Sequence, residues 1–167
     1  MRKQGEIYMK LLILSDSHRD VFSCEEALRC HRDADWVIHL GDGEDDLDRV
    51  NMIYLNKRIA RIKGNCSWGS PLREEQILEL DGKRIFLCHG HRYTVKSTTD
   101  LLMAKAIAEN CEIALYGHTH RQAYLYLENI PLHLCNPGSI HGGYYGLLHI
   151  EGNRINFEKK SLLDEKI

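Results

Sequence analysis

Apolar runs that stop abruptly at polar residues punctuate the first third of the chain. "KLLIL" (residues 10–14) gives way to "SDSH", "WVIHL" (36–40) to Gly41-Asp42, and "KRIARI" (57–62) to "KGN". Short continuous apolar runs closed by turn residues are the signature of strands buried on both faces. Between the first two, Asp20 is placed to cap a helix running to about Arg32, with Val21, Cys24, Ala27 and Leu28 on one face. A short acidic helix is expected from Glu44 to Val50. After Pro71 the pattern changes. "EQILELDGKRIFLCHGH" places Asp81-Gly82 between two strand-like runs, a two-residue hairpin signal. Leu101 to Glu109 reads as an amphipathic helix and "EIALYGHTH" as another strand with a polar end. "RQAYLYLENIPLHLCNPGS" and "YYGLLHIEGNRINFEKK" read as antiparallel strands turning at Glu128-Asn129 and Glu151 to Asn153. The expectation is an α/β chain with βα units first, a strand-rich second half, and a single domain over residues 1–167 without repeats or a linker.

Bulk composition narrows the function classes. A chain of 167 residues with 43% apolar and 28% charged side chains can bury a sizeable core. Its net charge of −2 supplies no field to recruit nucleic acid or an anionic membrane. A phosphate substrate remains compatible, because a bound metal supplies positive charge locally. No apolar run reaches membrane-spanning length, and "MRKQGEIYMK" lacks the core of a signal peptide, so a cytoplasmic location is expected. Met9 is a candidate alternative start, since the patterned sequence begins after it. The six cysteines have no paired spacing and read as reduced thiols, most of them small core residues. Ten histidines is a high count for this length, and metal ligation would explain the excess.

The polar residues where the apolar runs end form a chemical set: Asp16 and His18, Asp42, Asn65, His89, then His118 and His120. In α/β sheets, chemistry collects at the carboxyl ends of strands, so these side chains are expected to converge on one edge. Gly41, Gly64, Gly90 and Gly117 stand beside them to let the backbone turn or approach closely. Mixed imidazole and carboxylate ligands suit manganese, iron, zinc, cobalt or nickel rather than calcium. Seven ligands exceed one tetrahedral ion and match two ions sharing a carboxylate, an arrangement suited to attack on phosphorus. His31, His39, His133 and His149 fall outside the set and read as structural, and Asp81 as a turn former.

"DSH" at 16–18, "GD" at 41–42, "GNC" at 64–66, "HGH" at 89–91 and "GHTH" at 117–120 resemble, in order, the motifs of the calcineurin-like metallophosphoesterases. The short length, "GNC" and "NPGS" at 136–139 are similar to the small bacterial and archaeal phosphodiesterase branch. The resemblance spans Leu11 to Phe157. It implies a four-layer αββα sandwich and two divalent transition-metal ions per chain, manganese foremost. Asp16, His18 and His120 would hold one ion, Asn65, His89 and His118 the other, and Asp42 would bridge them. The implied reaction is hydrolysis of a small phosphoester, a phosphodiester above all, by water activated between the ions. His91 and Cys66 are the further catalytic candidates, His91 to orient phosphate or pass a proton. The alternatives within the resemblance are a binding scaffold like the retromer subunit of this fold, whose histidine set is incomplete, or a phosphomonoesterase or protein phosphatase. Three departures bear on substrate: Arg19 where the family usually has a small residue, Ser67 where Asp is common, and "IHGGYY" after "NPGS". The roles of Arg19 and of His141 to Gly143, and the oligomeric state, stay open at this level.

Overall fold

Leu11 and Ile13 of the first strand face one way, Leu12 and Leu14 the other, and all four are fully buried. A strand with two apolar faces requires a layer on each side, and this requirement organises the molecule. The computed structural model describes residues 8–166. Strands β1 (Tyr8–Leu14), β2 (Trp36–His39) and β3 (Arg58–Arg61) are parallel, with helix α1 (Val21–Cys30) crossing between the first two. The hairpin β4 (Glu75–Leu80) and β5 (Lys83–Cys88) opens the second sheet. Helix α2 (Asp100–Ala108) leads to β6 (Ile113–Leu115), followed by β7 (Gln122–Leu127) and β8 (Leu132–Pro137). Finally β9 (Tyr144–Glu151) and β10 (Arg154–Ser161) return to the first sheet.

The two sheets have the orders β10-β9-β1-β2-β3 and β4-β5-β6-β8-β7. Between them lies a core that includes Leu11, Ile13, Ile38, Ile85, Ile113, Leu115 and Leu148. Helix α1 covers the outer face of the first sheet through Cys24, Ala27 and Leu28 against Leu12, Leu14 and Val37. Helix α2 covers the second through Leu102 and Ala106 against Phe86, Ala114 and Leu134. Three apolar interfaces joining four layers are the αββα sandwich expected from the sequence.

Local chemistry explains most element ends. Asp20 caps α1, its carboxylate accepting from the Ser23 N–H at 3.0 Å and the Ser23 hydroxyl at 2.8 Å. The helix stops at Cys30, two residues short of the expected end, because His31 leaves the helical conformation (φ −121°) and its ring turns inward. Asp81 and Gly82 both have positive φ, 49° and 73°, the two-residue hairpin turn that matches strand twist. The acidic helix is a 3-10 turn over Glu44–Asp48. Strand β1 includes Tyr8 and Met9, so the patterned sequence does not begin after Met9. All six thiols are free. His133 stacks on Tyr126, and the Tyr8 hydroxyl lies 2.5 Å from His149 Nδ1, so both histidines serve packing as expected.

His31 is the most informative of the structural histidines. Its Nε2–H donates to the Tyr145 hydroxyl at 2.8 Å, and that hydroxyl donates to Glu165 at 2.9 Å. Burial, with the Lys10 ammonium, pushes the imidazole down to about 4. The unfolded chain takes up this proton near pH 6.5, whereas the folded chain stays neutral until about 4. The stability contributed by neutral His31 is therefore complete above pH 6.5 and is lost as pH falls towards 4. Urea unfolding is expected to show a loss from His31 on the order of 1–2 kcal/mol between pH 7 and pH 5. His39, pushed to about 3, acts in the same direction, so His31→Gln should reduce the pH slope without abolishing it. An identical slope in His31→Gln and the parent would contradict this account.

Candidate metal centre

The carboxyl ends of β1, β2, β3, β5 and β6 deliver their loops to one edge of the sandwich, and backbone hydrogen bonds knit those loops together. Asp16 N–H donates to Gly41 O at 3.0 Å, His18 N–H to Asp42 O at 3.0 Å, and Gly117 N–H to His89 O at 2.9 Å. Asp16, His18, Asp42, His118 and His120 all have positive φ, between 46° and 68°. A residue with a Cβ pays on the order of 1–2 kcal/mol for the left-handed region, so such a cluster persists only where surroundings enforce it. Those surroundings include two glycines that lack room for a side chain. A Cβ on Gly64 would lie 2.1 Å from Asp42 Oδ1, and one on Gly117 would lie 2.0 Å from Ser15 Oγ and 2.8 Å from Asp16 Oδ2.

Two ligand groups result. Asp16, His18 and His120 form one, Asp42, His89 and His118 the other, with all ligand atoms in each group within 4.8 Å. In the first, His18 Nε2 and His120 Nε2 stand 3.3 Å apart, and His120 Nε2 lies 3.1 Å from Asp16 Oδ1. Atoms bound to one ion at about 2.1 Å stand about 3.0–3.4 Å from one another, so this spacing fits a shared cation. In the second, His89 Nε2 lies 3.2 Å from Asp42 Oδ2. The same nitrogen is 3.8 Å from Asp16 Oδ1, which brings the two groups into contact. His89 Nδ1–H donates to Leu40 O at 2.7 Å, which leaves Nε2 as the nitrogen free to ligate. Neither Asp16 Oδ1 nor His89 Nε2 has a hydrogen-bond partner although both are buried, and the 3.2 Å approach to Asp42 lacks hydrogen-bonding geometry. Buried polar atoms left open in this way are what a cation would satisfy.

Electrostatics agree with the geometry. Burial alone would raise the Asp42 carboxyl, but the His89 imidazole and the Cys66 N–H outweigh it and hold Asp42 well below the carboxylate range. Burial would lower His89, but Asp42 and Asp16 draw it upward. His118 is pushed down to about 4, first by burial and then by His89.

The remaining candidates take different places. Asn65 is exposed on the loop after β3, where its amide N–H donates to Cys66 Sγ at 3.4 Å. Cys66 is exposed, with its backbone N–H on Asp42 Oδ1 at 2.7 Å. Burial and the Asp42 charge raise its thiol. His91 approaches the second group, its ring centroid 5.6 Å from His89 and 6.1 Å from His118, and its buried Nδ1 has no hydrogen-bond partner. Arg19 lines a cavity of about 720 Å³ that begins at His18 and Asp42.

Sequence reading missed the residues that brace this edge. Ser15 Oγ donates to Asp16 Oδ2 at 2.5 Å, and Ser139 Oγ to Asp16 O at 2.8 Å. The Asn136 amide donates to Gly117 O at 3.1 Å and lies 3.0 Å from Thr119 Oγ1, which gives "NPGS" a structural role at the end of β8. His39, fully buried, lies 3.0 Å from Ser17 Oγ, which donates to buried Asp46 at 2.6 Å. The "NPGS" turn at a strand end was a usable signal, whereas nothing in the sequence marked Ser15 or Asp46.

The profile of the calcineurin-like phosphoesterase superfamily domain matches residues 9–153. The chain belongs to this superfamily of metallophosphoesterases. It is 28% identical over 133 residues, 79% of this chain and 75% of the relative, to the probable metallophosphoesterase YsnB of Bacillus subtilis. A conserved protein of Streptococcus pneumoniae described as a predicted phosphoesterase superposes at TM-score 0.78 with 25% identity, covering 93% of this chain and 91% of that one. Two further structures show likeness of fold alone, both at TM-score 0.73 over 92% of this chain. A novel archaeal phosphodiesterase is 20% identical and 99% covered, and Vacuolar Protein Sorting 29 of Cryptosporidium parvum is 15% identical and 98% covered. Among the described residues no helix is long and apolar enough to cross a membrane.

If the open atoms of Asp16 and His89 await a cation, metal must stabilise the fold. Saturating zinc or manganese is expected to raise the melting temperature by several degrees, reversed by a chelator. Gly117→Ala, which drives a methyl against Ser15 and Asp16, should remain folded and lose most of that rise. A metal-independent melting temperature in the parent would contradict the assignment.

Proposed function

We propose that the protein is a dinuclear metal-dependent phosphodiesterase. The observation that carries this reading is the contact of two candidate ligand groups through His89 Nε2, 3.2 Å from Asp42 and 3.8 Å from Asp16. Asp16, His18 and His120 would hold one divalent ion. Asn65, His89 and His118 would hold the other, and Asp42 would serve both. Two such ions, manganese foremost, would supply an activated water and neutralise charge developing in displacement at phosphorus.

The protein's own groups set the selectivity. His91 carries a buried, unpartnered Nδ1 beside the second ligand group, where its ring can orient a phosphoryl oxygen or pass a proton. Cys66 occupies the position beside Asp42 where the larger phosphatases resembled by this chain carry a histidine that protonates the leaving alkoxide. A thiol is a weak donor, and with its pKa raised it does not replace an imidazolium. General-acid help contributes about 10²–10⁴-fold and matters most for strongly basic leaving groups. The site therefore favours esters with good leaving groups. A diester, one charge poorer than a monoester dianion, also needs less cationic help.

The scaffold reading has support from the likeness to Vacuolar Protein Sorting 29, but no side chain here requires it. The filled histidine set favours the enzyme.

With manganese, turnover on bis(4-nitrophenyl) phosphate is expected to exceed turnover on 4-nitrophenyl phosphate. Cys66→His should shift that ratio towards the monoester. Absence of hydrolysis on either compound in the metal-loaded protein would reject the enzyme, and an unchanged ratio in Cys66→His would reduce Cys66 to packing.

A further inference from the structure

The cavity of about 720 Å³ runs from His18 and Asp42 to the loop of residues 66–72. Its volume lies within the range of small-ligand sites. Two of its lining residues, Trp68 and Arg19, bear on what it could bind. Trp68 is 92% exposed, and its indole has no ring or cation partner among the described residues. An indole exposed at the rim of a cavity has both ring faces available for stacking.

Arg19 is the second of these residues. It has a φ of 72°, a conformation disfavoured for any residue with a Cβ, and it is held there by its N–H on Asp46 Oδ2 at 2.9 Å. Asp46 is 1% exposed, so this anchor is rigid. The other charged side chains of the cavity are already engaged. Glu44 accepts from Ser67 Oγ at 2.7 Å, Asp48 pairs with Arg61 at 2.8 Å, and Asp45 lies 3.8 Å from Arg49. Of the two arginines that line the cavity, Arg19 and Arg61, only Arg19 has no carboxylate partner among the described residues. The cavity thus offers, next to the candidate ligands His18 and Asp42, one guanidinium without a carboxylate partner and one free indole. That complements a single anionic phosphate joined to a flat, uncharged aromatic group.

We propose that this cavity receives the nucleoside arm of a nucleotide ester, with Trp68 stacking on the base and Arg19 countering the phosphate charge. The reaction assigned to this ligand rests on the phosphodiesterase reading above, but the binding does not require turnover. Arg19 and Trp68 act here as binding and specificity residues.

Binding can be read without catalysis. The chain has two tryptophans, so Trp36→Phe leaves Trp68 as the sole indole. In chelator-treated protein, where no metal-dependent hydrolysis occurs, adenosine 5′-monophosphate is expected to quench Trp68 fluorescence saturably. Ribose 5-phosphate, which keeps the phosphate and sugar but lacks the base, should compete at least about 10-fold more weakly, the effect of one base–aromatic stack. By calorimetry, Trp68→Ala should bind both compounds alike. Arg19→Gly should weaken both while the melting temperature holds or rises, because glycine accepts the φ that arginine resists. Equal affinity of the parent for the two compounds, absence of quenching, or unchanged nucleotide binding in Trp68→Ala overturns the proposal. Intact nucleotide binding in a protein that hydrolyses no diester upholds this inference and refutes only the phosphodiesterase reading.

Discussion

Two buried carboxylates face one buried imidazole at the edge of this sandwich, and the rest of the architecture serves that contact. Asp16 and His89 are fully buried and Asp42 is 3% exposed, yet Asp16 Oδ1 and His89 Nε2 lack hydrogen-bond partners. Charges removed from water at such density destabilise a fold unless a counter-ion or a full set of hydrogen bonds offsets them. The second oxygens are indeed satisfied: Asp16 Oδ2 by Ser15 and the His118 N–H, Asp42 Oδ1 by the Cys66 N–H. What stays open on each side points at the same place. The account of function follows from that selective incompleteness.

Holding these groups requires a rigid frame, and the sandwich supplies it. Parallel strands end their loops on the same edge, so β1, β2 and β3 in one sheet and β5 and β6 in the other bring five segments together. The loops then lock by exchanging backbone hydrogen bonds, and five of the six candidate aspartate and histidine ligands are forced into left-handed backbone. Strain of this kind is distributed along the edge and resisted by a core buried on both faces of both sheets. Stability in the layers and strain at the edge are two parts of one arrangement.

Much of this was legible in the residues. Apolar runs ending in Asp and His marked both the strands and the side chains that converge at their ends, and Asp81-Gly82 marked its hairpin. Gly64 and Gly117 were legible as sites of close approach, though the number of ligands that themselves adopt positive φ was not, since only local crowding dictates it. The division of ten strands into two sheets also lay beyond the pattern. Strand β9 pairs with β1 across the chain, Leu148 opposite Leu11, and alternation along either strand does not name its partner. The braces were hidden for the same reason: Ser139 reaches Asp16 O from 123 positions away. A serine or asparagine in a turn has many readings until the fold brings its partner near.

The central claim is that Asp42 joins two ions into one centre. Electron paramagnetic resonance of the manganese-loaded protein tests it most directly, because two ions sharing a carboxylate couple magnetically and isolated ions do not. The expected result is uptake of two ions with a spin-coupled spectrum in the parent, replaced by the spectrum of uncoupled manganese in Asp42→Asn. An uncoupled spectrum in the fully loaded parent, or saturation at a single ion, would contradict it.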